Sequence, residues 1–395
     1  VVFPFEWIAY STPVLNLVEL LQKNHRVRVL SSGGCWSQSA ALNPEVYRSL
    51  RIPSQCGSKP TAVGALLAAR FGYPAPQVDK MLALLPEIAR EQPDYVIAVD
   101  SLGLLLASSV FNSVVYFSLE LCRDEYFAMA DKNVISCVVT QSQKRYQYQF
   151  GDRDIKKFIF PNSQIFRRHY PKARNKRLVY FGNFVRTHGL FLLLDVMKFL
   201  PEDYSLTLAG IVGEPRQWIA ENCVEQLNAG RIVMDRQYVS PENVAEYLSG
   251  FEIGFCFYDL KEIDKRLQRE GSSLEIDQIR ELYTATKIFD YFAAGIPVVG
   301  TELESMKPVT DFGCGILLRD PTPQTIAKAV VTIEANYDSY SSGCRQAVEA
   351  MDLSKLAKPF IDDLHGVPPA RRWFFIRTRF AISTLIKSRR RRKAN

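Results

Sequence analysis

Short apolar runs alternate along the whole chain with segments of helical period. In the first half the runs are VVFPF, RVRVL, DYVIAVD, SVVYFSLE, VISCVVTQS and KKFIF; in the second they are RLVYFG, YSLTLAG, RIVMDRQYV, EIGFCFYD, PVVGT and CGILL. They are apolar at nearly every position, not at every second one. That pattern predicts strands covered on both faces, as parallel sheets require. Between them, STPVLNLVELLQKN, VDKMLALLPEIAREQ and TPQTIAKAVVTIEAN predict helices. Ser240-Pro241 and Thr322-Pro323 each place a capping hydroxyl before a proline at the first helical position. The alternation breaks at 163–176, SQIFRRHYPKARNK, which is polar, basic and aperiodic. The predicted organisation is α/β, with two Rossmann-like doubly wound domains facing a cleft. The boundaries read as 1–165, a linker at 166–176, a second domain at 177–350, and a C-terminal helix and basic tail at 351–395. In such folds ligands sit beyond the carboxyl ends of the strands.

Charge sharpens this picture. The formal net charge of the 395 residues is +7, but ten Lys or Arg and no acid fall in 371–395. The remainder holds 39 bases against 42 acids, so the basicity belongs to the tail and a fold-wide nucleic-acid surface is a poor reading. In that tail, RRWFFIRTRFAISTLIKSRRRRKAN, aromatic and aliphatic residues alternate irregularly with cations. Either it is a solvated basic tail or it holds the protein at an anionic membrane surface, where each cation contributes about 1 kcal/mol. No run of 18 apolar residues without charge predicts a bilayer span. The eight cysteines lack C-x-x-C pairs, and several sit inside apolar runs; they read as reduced thiols in a cytoplasmic compartment, not as a disulfide or zinc framework. The chain opens on VVFPF without a methionine, so the lack of a secretory leader there says little about what precedes it.

The segment TATKIFDYFAAGIPVVGT, 284–301, carries the most chemistry. Gly295 and Pro297 end a helix and lead into a strand. Lys287 and Asp290, three apart in the first turns, share a face while Ile288, Phe289 and Phe292 point mainly elsewhere. Two readings stay open on spacing alone. One is an ordinary i,i+3 surface ion pair worth a few tenths of a kcal/mol. In the other, Lys287 and free N–H groups from Thr286 onward meet a diphosphate while Asp290 accepts hydrogen bonds from the two hydroxyls of a ribose.

KIFDYFAAGIPVVGT resembles the donor-site segment of GT-B glycosyltransferases, in particular glycosyltransferase family 4 (group 1). FIFPN at 158–162, RLVYFGNFVRTHGLFLLLDVM at 177–197, SLTLAG, YVSPENVAEYLSGFEIGFCFYD and CGILL follow in the order that family implies. The resemblance covers about residues 158–335; over 1–157 only element order supports it. It implies a nucleoside diphosphate sugar as co-substrate and no further cofactor or metal. It assigns Lys287 to the phosphates and Asp290, where the family usually has glutamate, to the ribose. In the phosphate loop Gly182 and Gly189 keep their spacing, but Asn183 and His188 stand where the family has cations, and Arg186 offers a replacement charge. By the same analogy Arg236 borders the base. The family's second glutamate falls on Leu282, which cannot serve, within a charged stretch at 261–282 that reads as a solvated helical insertion.

The first domain should bind the acceptor. Glu120, in SLEL at the end of a strand, is the candidate to face the reacting sugar; Asp100, ending VIAVD, orients an acceptor hydroxyl or caps a helix. Asp152-Arg153-Asp154 imitates a D-x-D metal motif but lies in a polar turn and reads as a loop. The expected activity is transfer of a sugar to a glycan or lipid-linked acceptor, with retention and without metal, at the cytoplasmic face of a membrane. Lys287, Arg186 and Glu120 are the expected catalytic groups. The alternatives are a non-catalytic GT-B scaffold or partner subunit, and a nucleotide-sugar 2-epimerase.

Overall fold

A computed structural model describes residues 1–5, 8, 11–32, 42–50, 84–121, 125–170, 174–182, 185–210, 215–235, 237, 239–269 and 274–372. The chain divides into two compact units, 1–161 with 357 onward, and 162–356.

The first unit is built on a seven-stranded, wholly parallel sheet. Its strands are β1 (Val2–Phe3), β2 (Val29–Ser32), β3 (Tyr47–Leu50), β4 (Ile97–Val99), β5 (Val114–Phe117), β6 (Ile135–Thr140) and β7 (Lys157–Ile159), in the order 3-2-1-4-5-6-7. The helix Asp100–Val110 buries most of its length beside β1, β4 and β5. Every position of β4 and β5 is buried, which is why DYVIAVD and SVVYFSLE are continuous apolar runs. The order reverses between β1 and β4, so the crevice of this sheet opens at the carboxyl ends of those two strands.

The second unit repeats the plan with six parallel strands. They are β8 (Arg177–Phe181), β9 (Ser205–Ala209), β10 (Ile232–Asp235), β11 (Ile253–Cys256), β12 (Val298–Thr301) and β13 (Gly315–Leu318), in the order 10-9-8-11-12-13. Here the reversal lies between β8 and β11. The core combines Leu178, Tyr180, Leu193, Leu206, Phe255, Val299, Ile326 and Val330, drawn from strands and from the Leu190–Val196 and Pro323–Ala335 helices. Thr322 starts the second of these helices with a capping box, its hydroxyl accepting from the Thr325 N–H. The Lys287–Ala293 helix ends in a Schellman motif, with Gly295 at φ +69 and Ile296 N–H donating to the Tyr291 carbonyl at 3.1 Å.

The twelve apolar runs all contain a strand, and three differences stand out. Strand β3 was not expected; Tyr47–Leu50 carries Arg48 and lies at the sheet edge, where a polar side chain is tolerated. Ser240 precedes a 3-10 turn, Pro241–Asn243, and receives the Asn243 side chain at 3.1 Å instead of capping a backbone N–H. The domain boundaries need correcting. Residues 162–176 belong to the second unit, held by Glu252, which accepts from the Arg174 side chain and from the N–H groups of Asn175 and Lys176 at 3.0, 2.9 and 2.6 Å. The described end of the chain, 357–372, belongs to the first. Its backbone pairs there, with Ala370 N–H on the Asp94 carbonyl at 2.7 Å and Asn112 N–H on that of Arg371 at 3.0 Å, and Lys156 forms an ion pair with Asp363. The 261–282 stretch folds as two helices, Leu260–Arg269 and Ile276–Leu282. Among the described residues no helix is long and apolar enough to cross a membrane.

Candidate nucleotide site

The reversal between β8 and β11 brings the end of β8 under the start of the Lys287–Ala293 helix. Gly182 follows β8 with φ +131, and a Cβ there would lie 2.5 Å from Lys287 Cε. Only glycine lets the lysine stem cross the backbone at this point. Gly210, after β9, leans on Gly182 in the same way, its hypothetical Cβ 2.6 Å from the Gly182 carbonyl oxygen. Tyr291, one turn along the helix, pins the two strands: its hydroxyl donates to the Phe255 carbonyl at 3.0 Å and accepts from Phe181 N–H at 3.1 Å. A Cβ on Gly254 would meet the Tyr291 ring at 2.5 Å, so the helix sits directly on β11.

Lys287 does not form the i,i+3 ion pair that spacing allowed. Its amine lies 3.0 Å from Tyr180 Oη and 3.3 Å from His188 Nδ1, with the Tyr180 ring centroid at 4.4 Å. Tyr180 Oη and His188 Nδ1 are themselves 3.3 Å apart. An ammonium has protons and no lone pair, so the atom of His188 facing it must be an acceptor. Burial brings the lysine down from 10.5 to about 8, opposed by Cys256 and Asp290. It pushes the Cys256 thiol up to about 11, so that group stays neutral at pH 7. Tyr180, fully buried, is held well above the usual phenol range and remains a hydroxyl.

Asp290 is also half-buried. Burial raises its carboxyl from 3.8 to about 7, and the Gln164 side chain and Lys287 oppose the rise. The unit thus keeps a cation and a carboxylate in poorly solvated positions one helical turn apart without pairing them. Both are poised to gain from a ligand that brings its own anionic and hydroxyl groups.

Four of the residues singled out in the sequence are thus found together: Gly182, His188, Lys287 and, one turn on, Asp290. Thr286 directly precedes the helix; its carbonyl accepts from Phe289 N–H at 3.1 Å and its side chain makes no cap. The backbone of Arg186 lies in the 3-10 turn Arg186–His188. Its side chain, Asn183 and Arg236 lie outside the described residues, as does the tail beyond Arg372. Leu282 is buried, with no role in polar chemistry. Asp152 and Asp154 are exposed in the loop before β7. Glu120 lies in the first unit, exposed, just beyond β5. Asp100 does not cap the helix it begins. Its Oδ1 accepts from the N–H groups of Leu119 and Glu120 at 2.7 and 2.8 Å. Tyr180, Tyr291 and Gln164 were missed; the only hint was a tyrosine within each of two otherwise hydrocarbon runs, RLVYF and KIFDYFA.

No protein-family model matches the chain, and no curated protein sequence matches it. Solved structures do. Anabaena Alr3699/HepE in complex with UDP-glucose superposes with a TM-score of 0.64 at 12% identity, over 93% of this chain and 99% of that one. Sucrose-phosphate synthase from Thermosynechococcus elongatus gives 0.61 at 14% identity, over 92% and 98%. The pneumococcal O-GlcNAc transferase GtfA, in complex with UDP and GlcNAc, gives 0.51 at 8% identity over 72% and 60%. Two wholly parallel α/β units of seven and six strands, and these likenesses over nearly the full chain, identify the protein as having the GT-B fold of glycosyltransferases.

Proposed function

We propose that the protein is a glycosyltransferase that takes its sugar from a nucleoside diphosphate sugar bound at the carboxyl edge of the second sheet. The observation that carries this reading is the Lys287 amine, held over Gly182 at the switch point by Tyr180 and His188 and left without a carboxylate partner. A diphosphate supplies the missing counter-charge. His188 stands where similar proteins carry a cation, so Lys287 carries more of the phosphate charge. Asp290 accepts from the ribose hydroxyls. HepE, which is known with UDP-glucose bound, and GtfA, known with UDP and GlcNAc, support a donor of this class.

As the bond from the anomeric carbon to the diphosphate breaks, negative charge grows on the departing oxygens. An amine already desolvated and positioned stabilises that charge without reorganisation. Lys287 together with Arg186 takes the part a divalent ion would otherwise play, and transfer proceeds with retention. Glu120 orients the acceptor hydroxyl, that of a glycan or lipid-linked sugar. The basic tail holds the protein at the cytoplasmic face of an anionic membrane.

The test is a thermal-shift screen with UDP, GDP, ADP and their sugars. Ligand at 100 times its dissociation constant stabilises by about 2.7 kcal/mol. A shift with one nucleotide series, lost in Lys287→Met, supports the reading; no shift from folded protein with any of them refutes it. Buried Leu282, where related enzymes carry a second glutamate, favours one other reading, a subunit that binds donor without turning it over. Sugar release measured on the same samples separates the two.

A further inference from the structure

The first unit devotes an unusual number of buried polar groups to one turn. Ser118–Glu120, beyond β5, is held on every side. Asp100 Oδ1 takes the N–H groups of Leu119 and Glu120 at 2.7 and 2.8 Å, and Arg145 Nη2 donates to the Leu119 carbonyl at 2.9 Å. Gln141 Nε2 donates to the Ser118 carbonyl at 2.5 Å, while Ser118 Oγ bonds Gln149 Oε1 at 2.9 Å and the Glu120 carbonyl at 3.2 Å. Asp100 and Arg145 are each only 1% exposed, and Ser118, Gln141 and Gln149 are buried as well. Asp100 adopts φ +54, uncommon for a residue with a Cβ, and its Oδ2 is buried without a partner. A turn needs none of this to reverse the chain, since one buried carboxylate costs more than an ordinary turn returns. Strain and buried polar groups concentrated at one place mark a constellation kept for use. The turn follows β5, and Asp100 follows the neighbouring β4, which borders the switch point of the first sheet. What the cage leaves outward is Glu120, exposed at the tip.

We propose that Asp100 and Arg145 are positioning residues, which clamp the Ser118–Glu120 turn from its N–H and carbonyl sides so that the Glu120 carboxylate is presented in one orientation to a hydroxyl-bearing ligand. The proposal rests on the reading of Glu120 as the group that faces the acceptor. Burial and then the Glu120 carboxylate raise Asp100 to about 7, with the two N–H bonds and Arg145 opposing, which shows the two carboxyl groups sharing one field. In Asp100→Asn a side-chain oxygen can still take both N–H groups but the charge is gone; in Asp100→Ala the clamp itself is gone.

Two measurements on the full chain test this. The first is hydrogen exchange at the Leu119 and Glu120 amides. Exchange should be slow in the parent and at least tenfold faster in Asp100→Ala, with UDP affinity unchanged because Lys287 belongs to the other unit. Unchanged protection in Asp100→Ala overturns the clamp. The second is the rate of UDP release from UDP-glucose in Asp100→Ala, Glu120→Gln and the double variant. If Asp100 acts through Glu120, the single losses are each tenfold or more and the double variant loses no more than Glu120→Gln does. Multiplying losses would mean that Asp100 serves only the fold, and the positioning role falls. A parent-like rate in Glu120→Gln, with the amide result intact, would instead remove the assignment of Glu120.

Discussion

Replacing Lys287 by methionine should make the free protein more stable and the nucleotide complex weaker. Methionine keeps a stem of similar length across Gly182 and over the Tyr180 ring, and leaves Tyr180 and His188, 3.3 Å apart, to bond each other. What it removes is a charge. A lysine brought from 10.5 to about 8 disfavours folding at pH 7 by about 3 kcal/mol, since each tenfold weakening of proton binding costs about 1.4 kcal/mol. The side chain is half-buried, so solvent screening trims this to about 2 kcal/mol. In a unit of this size each kcal/mol moves the midpoint by about 2–4 °C, so Lys287→Met should melt about 4–8 °C above the parent at pH 7. The sign follows from proton counting. Between pH 8 and 10.5 the unfolded chain holds a proton on Lys287 that the folded chain has released, so parent stability rises with pH across that window and the variant lacks the rise. A charge-assisted bond to phosphate is worth about 1.5–3 kcal/mol, so the dissociation constant for UDP should rise about 10- to 150-fold. Differential scanning calorimetry at several pH values, with isothermal titration of UDP, reads both quantities. A variant that melts lower than the parent, or that binds UDP equally well, refutes the reasoning.

Three further outcomes are expected. UDP affinity measured across pH should be bell-shaped, failing below about 7 as Asp290 takes up a proton and above about 8 as Lys287 gives one up; Asp290→Asn should abolish the acidic limb. Gly182→Ala places a methyl 2.5 Å from Lys287 Cε at φ +131, and should cost about 1–3 kcal/mol in urea denaturation and displace the amine enough to weaken UDP binding. Thr322→Ala removes the cap of the Pro323–Ala335 helix and should lower stability by about 1 kcal/mol in the same assay while UDP affinity stays at the parent value.

Strands that lie inside a parallel sheet announce themselves, because both faces are buried and the run cannot alternate. That is why IGFC and VVGT were legible, buried at every position, and why YRSL at the edge was not. The destination of 357–372 was equally hidden. Much of its pairing is made by backbone groups, Phe111 with Arg372 and Ala370 with Asp94, and backbone groups leave no trace in side-chain pattern. At the site, the i,i+3 spacing and a family resemblance pointed to Lys287 and Asp290. What neither could supply was the partner: Tyr180 is 107 residues from Lys287 and meets it only because the sheet reverses between β8 and β11.

Because the first unit is completed by residues from both ends of the chain, the second is in effect an insertion within it. A growing chain therefore cannot finish what it starts first. After Pro161 emerges from a ribosome, about 200 further residues must follow before Ala370 and Arg371 can bond Asp94 and Asn112, a wait of about 10–40 s at ordinary elongation rates. Through that interval the 162–356 unit can close alone, while the earlier one holds the Ser113 hydroxyl and the Asn112 side chain without the chain that will meet them. The unit that carries Lys287 can thus be complete before the unit that carries Glu120, although its sequence is translated second.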